Sequence, residues 1–162
     1  MKTIYLVRHA KSGNEDYIKN DIERHLSERG YKDAEKQAEQ FRQEFKKPGC
    51  IISSPAVRAY TTALIFAKHL LYNPKDIQIN ASIYDAGLSQ LFYVINELSD
   101  EYESAMVVGH NPGLTYLINE ICGNVISELP TTGVAAIELN VDKWNEVNTG
   151  SGVLMKELNS KV

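Results

Sequence analysis

Three short apolar runs constrain the fold more than any other feature of the chain. Residues 4–7 (Ile4, Tyr5, Leu6, Val7), 50–52 (Cys50, Ile51, Ile52) and 105–108 (Ala105, Met106, Val107, Val108) lack the polar alternation of a half-exposed strand. They are also too short for buried helices. Such runs suit strands buried on both faces, as in a parallel sheet covered by helices. The intervening stretches have helical periodicity. Ala34, Ala38, Phe41 and Phe45 recur at steps of four, three and four. Tyr60, Ala63, Leu64, Ala67, Leu70 and Leu71 mark a second helix starting near Ala56. Leu88, Leu91, Phe92, Ile95 and Leu98 mark a third, and Leu114, Leu117, Ile118 and Ile121 a fourth. Ile77 and Ile79 suit a short edge strand, and residues 134–139 and 153–158 two closing strands around Trp144. This alternation predicts an α/β fold, a three-layer α/β/α sandwich with a largely parallel central sheet.

Local signals agree with that order. Ser27 stands where a helix N-cap belongs, and Pro48-Gly49 and Asn73-Pro74 are stops. Residues 13–23 are polar and aperiodic, so they are expected to form a loop over the end of the first strand. A length of 162 residues fits one domain over 1–162, with room for a substantial core. No apolar run approaches the ~20 residues that span a bilayer, and Arg8 cuts the first run too early for a signal-peptide core. A cytoplasmic location is the expectation. Cys50 and Cys122 are distant and lack CxxC partners, as expected of structural thiols. A net charge of −4 argues against a nucleic-acid footprint, so Arg8, His9 and Lys11 form a local positive cluster in an acidic protein.

All three buried strands end in chemically loaded turns. The first ends in Arg8-His9, the second leads through Ser53-Ser54-Pro55 to Arg58, and the third ends in Gly109-His110-Asn111-Pro112-Gly113. Parallel strands place their C-terminal ends along one edge, where open α/β sheets bind ligands. Two arginines and two histidines can therefore converge, although they are scattered in sequence. Guanidinium groups match phosphate oxygens, and Arg58 falls about a turn into its helix, near free N–H groups. Such a pocket suits a phosphoryl dianion and needs no metal, because two guanidiniums and an imidazolium can take the charge. His9, fixed at a strand end beside Arg8, is the better nucleophile, and His110 the better charge stabiliser or proton donor. Taken singly, each arginine also fits a surface ion pair and His110 a turn cap. The joint pattern carries the reading.

With these residues in place, the chain resembles the histidine phosphatase, or phosphoglycerate mutase-like, superfamily. The resemblance rests on Arg8-His9, on Ser54-Pro55 with Arg58, and on Gly109-His110-Asn111-Pro112. It extends to Arg24-His25-Leu26-Ser27-Glu28-Arg29-Gly30, similar to the segment that opens the family's first helix. It implies that His9 becomes phosphorylated and that Arg8, Arg58 and His110 complete the phosphate pocket, with no cofactor. Mutases of the superfamily carry glycine after the histidine, whereas Ala10-Lys11-Ser12 stands here. That sequence, the small size and the Gly109–Gly113 turn are similar to the compact SixA-type branch, named for protein phosphohistidine phosphatases.

The resemblance also offers Asp85, in Ile83-Tyr84-Asp85-Ala86, as a general acid, and a loop aspartate of no catalytic consequence is the competing reading. Lys11, Ser12 and Asn14 are further candidates for contact with phosphate or substrate. His69 falls off its helix's apolar stripe, and His25 lies near the pocket without an assigned role. A zinc site on His9 and His110 lacks a third ligand. The leading expectation is a metal-independent phosphatase acting on a phosphorylated protein or a small phosphorylated substrate. A mutase fits less well, because the short loops offer little enclosure. A non-catalytic phosphate-recognition module is the alternative from another class. Oligomeric state is not readable from the chain.

Overall fold

The computed structural model describes residues 1–13 and 20–159. Its centre is a six-stranded sheet in the order β3-β2-β4-β1-β5-β6. The strands are β1 (Lys2–Arg8), β2 (Cys50–Ser53), β3 (Gln78–Ile79), β4 (Ser104–Gly109), β5 (Val134–Leu139) and β6 (Gly152–Leu158). β1, β2, β3 and β4 run parallel, and β5 is antiparallel to both β1 and β6. The four longer helices are α1 (Glu28–Glu44), α2 (Val57–Leu70), α3 (Leu88–Asn96) and α4 (Gly113–Cys122).

Alternation along the strands divides the core in two. Tyr5, Val7, Ile51, Met106 and Val108 pack under α1 and α2 with Phe41, Phe66 and Ala63. Ile4, Leu6, Ile52, Ala105 and Val107 face the other way, toward α3 and α4 with Leu91, Leu114, Leu117 and Ile118. The expected three-layer sandwich with a largely parallel sheet is therefore the observed one. Trp144 is fully buried where β5 and β6 close the fold, and its indole N–H donates to the Tyr102 carbonyl at 2.9 Å.

Element boundaries follow local chemistry. Ser27 caps α1 by accepting the Gly30 N–H at 3.0 Å. α1 ends before Pro48, because Phe45 is already extended, and its ring packs on Tyr5 and Phe41 at centroid distances of 5.3 and 4.9 Å. One sequence expectation is corrected: Leu71 does not belong to the inward stripe of α2. It sits in a left-handed C-cap (φ 55°) and is 86% exposed, while Ala59, Thr62, Ala63, Phe66, Ala67 and Leu70 form the buried face. Spacing alone continues the stripe past the point where the helix has ended. Cys50 and Cys122 are both free, and burial pushes their thiols up to about 12 and about 11.

Candidate active site

Register brings the three strand-end turns together. Arg8 pairs with Gly109 and Ser53 with Val108, and β4 lies between β1 and β2. The His9 N–H donates to the Gly109 carbonyl, and the Ser54 N–H to that of Val108, at 3.1 and 3.0 Å. His9 and His110 then face each other with ring centroids 5.1 Å apart. Arg58 comes in from the first turn of α2.

The loop carrying His9 is held from several sides. Thr132 donates its N–H to the carbonyls of Arg8 and His9, at 3.1 Å each. The Ala10 N–H donates to Thr62 Oγ1 at 3.0 Å. The Lys11 carbonyl accepts the Ser27 N–H at 2.9 Å, and a Cβ on Gly30 would stand only 2.1 Å from that oxygen. The segment opening α1 therefore acts as a dock for the loop, and only glycine permits the approach. Gly113 plays a similar part opposite, because a Cβ there would lie 2.6 Å from the Ala86 carbonyl. It lets the Asp85 segment lie against the start of α4.

His9 is 9% exposed, and its Nδ1 lies 2.7 Å from the Ala10 carbonyl. A carbonyl can only accept, so Nδ1 carries the proton and Nε2 of the neutral ring keeps its lone pair. Burial lowers the His9 pKa to about 3, aided by positive charge on Arg58 and Arg8 and by His110, against the opposing Ala10 bond. His110 Nε2 is 2.8 Å from Ser54 Oγ, which also accepts the Ala56 N–H at 3.2 Å. Burial first, then Arg58, lowers the His110 pKa to about 4. Burial, and after it the charge of Arg58, thus favours the neutral imidazole at His110 over the imidazolium.

Both arginines are clamped through their outer nitrogens. Arg58 Nη1 donates to the Asp21 carbonyl at 2.7 Å and Nη2 to the Asp21 carboxylate at 2.9 Å. Arg8 Nη1 donates to the Leu129 carbonyl at 2.9 Å, with Glu128 at 3.4 Å. Among the described residues, the buried side-chain N and O atoms without a partner are Arg8 Nε, Arg58 Nε, His110 Nδ1 and Thr132 Oγ1. Three of these four belong to the predicted phosphate ligands. Buried polar groups are ordinarily paired, so this concentration of unpaired groups marks a place for an anion.

The other candidates are distributed around this cluster. A cavity of about 230 Å³ beside it is lined by Asp21, Arg58, Tyr84, Asp85, His110 and Asn111, among others. Asp85 is exposed at its edge, with a left-handed backbone (φ 56°). Ser12 Oγ accepts from Arg24 Nη1 at 3.1 Å, and Lys11 lines a separate depression of about 470 Å³ on the outer side of Arg8. Asn14 lies outside the described residues. His69 is half-buried between Glu35 and Glu39 on α1, far along α2 from the cluster. Among the described residues, no group of three His, Cys, Asp or Glu side chains is arranged to hold a metal ion.

Sequence reasoning missed Asp21, Tyr84 and Thr62. The Asp21 carboxylate joins Arg58, Arg24 and the Tyr84 hydroxyl, the last at 2.6 Å. The Tyr84 bond, followed by the arginines, lowers the Asp21 pKa to about 2. The one available signal was the i, i+3 pair Asp21/Arg24, which straddles the stretch read as polar loop and the segment similar to the opening of the family's first helix.

Comparison with known proteins agrees with this geometry. Residues 4–85, 82 of the 162, match the histidine phosphatase superfamily (branch 1). No curated protein matches the chain. Among solved structures, a protein from Agrobacterium tumefaciens assigned as the phosphohistidine phosphatase SixA is 25% identical, with a TM-score of 0.81 and coverage of 98% of this chain and 97% of that one. The protein histidine phosphatase SixA complexed with tungstate is 18% identical, with a TM-score of 0.82 and coverage of 98% and 97%. A mycobacterial glucosyl-3-phosphoglycerate phosphatase bound to VO3 is 14% identical, with a TM-score of 0.71 and coverage of 96% and 98%. With its strand-end histidines, its paired arginines and this match, the chain belongs to branch 1 of the histidine phosphatase superfamily.

Proposed function

We propose that the protein is a phosphatase that passes the phosphoryl group through His9, with protein phosphohistidine as its substrate and the cytoplasm as its place of action. The observation that carries this reading is the bond from His9 Nδ1 to the Ala10 carbonyl, which leaves the Nε2 lone pair free in a site where Arg8 and Arg58 each keep a buried, unpaired N–H. Nε2 attacks phosphorus, the bond to the leaving group breaks, and the leaving group departs with the electron pair and takes up a proton. Water then attacks the phosphorus of phospho-His9, the P–N bond breaks, and inorganic phosphate leaves. Arg8 and Arg58 bind the non-bridging oxygens throughout. A dianion beside the ring counters the burial and the Arg58 charge that hold the His110 pKa down, so His110 gains a proton as substrate binds and then donates to the phosphoryl group.

Phosphohistidine is favoured by the position of Asp85, an exposed side chain at the edge of the cavity rather than a buried acid. An imidazole leaves with little acid assistance, whereas an alkoxide needs it. No described helix is long and apolar enough to cross a membrane, and both cysteines are free thiols, in keeping with a reducing compartment. A net charge of −4 offers nucleic acid no broad basic face.

The test is to assay a phosphohistidine protein and a panel of small phosphate esters with the wild type, His9→Ala and Asp85→Asn. The reading expects turnover of phosphohistidine that His9→Ala abolishes and Asp85→Asn leaves within about threefold, with a larger Asp85 effect on esters. Equal Asp85 losses on both substrates would remove the preference for phosphohistidine. Tight phosphate binding without any turnover would leave a recognition module.

A further inference from the structure

We propose that Thr62 is a positioning residue for His9, joining the nucleophile loop to the helix turn that carries Arg58. The proposal rests on His9 being the attacking group, but its tests also read the ring itself. Thr62 is completely buried on α2, one turn after Arg58. Its hydroxyl donates to the Arg58 carbonyl at 2.8 Å, a back-bond common for threonine in helices. Its second bond is not of that common kind. Oγ1 also accepts the Ala10 N–H at 3.0 Å, across 52 positions of sequence.

Because the hydroxyl proton is committed to Arg58, the oxygen's lone pair is aimed at the His9–Ala10 peptide. Ala10 is fully buried, so no water can replace that acceptor. Ala10 in turn presents its carbonyl to His9 Nδ1 at 2.7 Å. A continuous chain thus runs from the Arg58 carbonyl through Thr62 and Ala10 to the His9 ring. It ties the residue that binds phosphate to the residue that attacks it.

Two features separate this role from simple core packing. Valine has the shape of threonine without its oxygen, so Thr62→Val keeps the packing and deletes both bonds. Serine keeps the oxygen and loses only the methyl group. Both changes leave the side chains of Arg8 and His110 and the Asp21 clamp on the Arg58 guanidinium in place, so phosphate binding is spared while the direction of the His9 lone pair is not. A displacement of about 1 Å at a reacting group lowers rate by up to about 100-fold.

The experiment compares kcat, KM, inhibition by inorganic phosphate and histidine ¹⁵N spectra for the wild type, Thr62→Val and Thr62→Ser. We expect Thr62→Val to lose about 10- to 100-fold in kcat, with KM and phosphate inhibition within about twofold. Its His9 nitrogens should move from the single Nδ1–H tautomer toward a mixture. Thr62→Ser should recover kcat to within about threefold and restore the tautomer. Equal losses in both variants, a loss confined to KM, or an unshifted His9 spectrum in Thr62→Val would overturn the proposal. If Thr62→Val does not fold, the wild type decides by NMR. A slowly exchanging Thr62 hydroxyl proton with a cross-peak to the Ala10 amide supports the chain of bonds, and its absence overturns it. A wild type without phosphatase activity would defeat the reading of His9 as nucleophile, while the tautomer shift in Thr62→Val would still report on Thr62.

Discussion

Arg58 commits both of its terminal nitrogens to Asp21, at 2.7 and 2.9 Å, while its Nε stays buried and unpaired. The arrangement makes the guanidinium a rigid group with one free edge. Ordering is completed before a ligand arrives, so binding need not immobilise a long side chain. Asp21 is itself held by Tyr84 and Arg24, which makes it the point where the short turn Asp21–Glu23, the Asp85 segment and α2 meet.

Removing the Asp21 carboxylate should therefore weaken phosphate binding more than it slows chemistry. Charge-assisted hydrogen bonds contribute about 1.5–3 kcal/mol when buried, and the half-exposed Asp21 side chain reduces that through solvent screening. Asp21→Ala should raise the competitive inhibition constant of inorganic phosphate about three- to tenfold. The main-chain bond from Nη1 survives the substitution. An unchanged inhibition constant would show that Arg58 is oriented without Asp21.

Gly30→Ala should damage the site from a distance. The new methyl group meets the Lys11 carbonyl at 2.1 Å, and that carbonyl is main chain, so the loop after His9 must move. Overpacking of this kind costs about 1–3 kcal/mol. Thermal unfolding should show the loss of stability, and activity should fall further than stability alone explains. Wild-type kcat in a destabilised Gly30→Ala protein would mean that the loop does not position His9.

Stability should decline as pH falls below neutrality. In the folded protein the pKa of His9 is about 3 and that of His110 about 4, both below the ordinary value of 6.5. The unfolded chain therefore binds more protons between these limits, and stability rises with pH across the window. Neutral burial costs nothing above about pH 6.5, and the penalty grows as pH falls toward 4. Chemical denaturation at pH 7, 5.5 and 4.5 checks this, with His9→Phe/His110→Phe flattening the slope. The same slope in that double variant would assign the effect to other groups.

The strand ends were legible in sequence because burial and chemistry change abruptly there. Val7 is fully buried and Arg8 follows it directly, so an apolar run that stops at a cation is a local signal. The convergence of Arg8, Arg58 and His110 needed only the parallel order of three strands. Thr62 was not legible, since a threonine in a helical stripe looks the same whether its hydroxyl bonds only to its own helix or also to Ala10. Asp21 was hidden for a related reason: its three partners, Arg24, Arg58 and Tyr84, are spread over 64 residues of chain counted from Asp21 to Tyr84 inclusive. Leu71 misled because periodicity does not report where a helix stops.

The central claim is that His9 Nε2 carries the phosphoryl group between substrate and water. Rapid quenching during turnover of a phosphorylated donor, followed by peptide mapping, tests it most directly. The expected result is an acid-labile, alkali-stable phosphate on His9, bonded at Nε2 and absent from His9→Ala. Hydrolysis that proceeds with no covalent phosphate on His9, or with phosphate trapped at another residue, would contradict it.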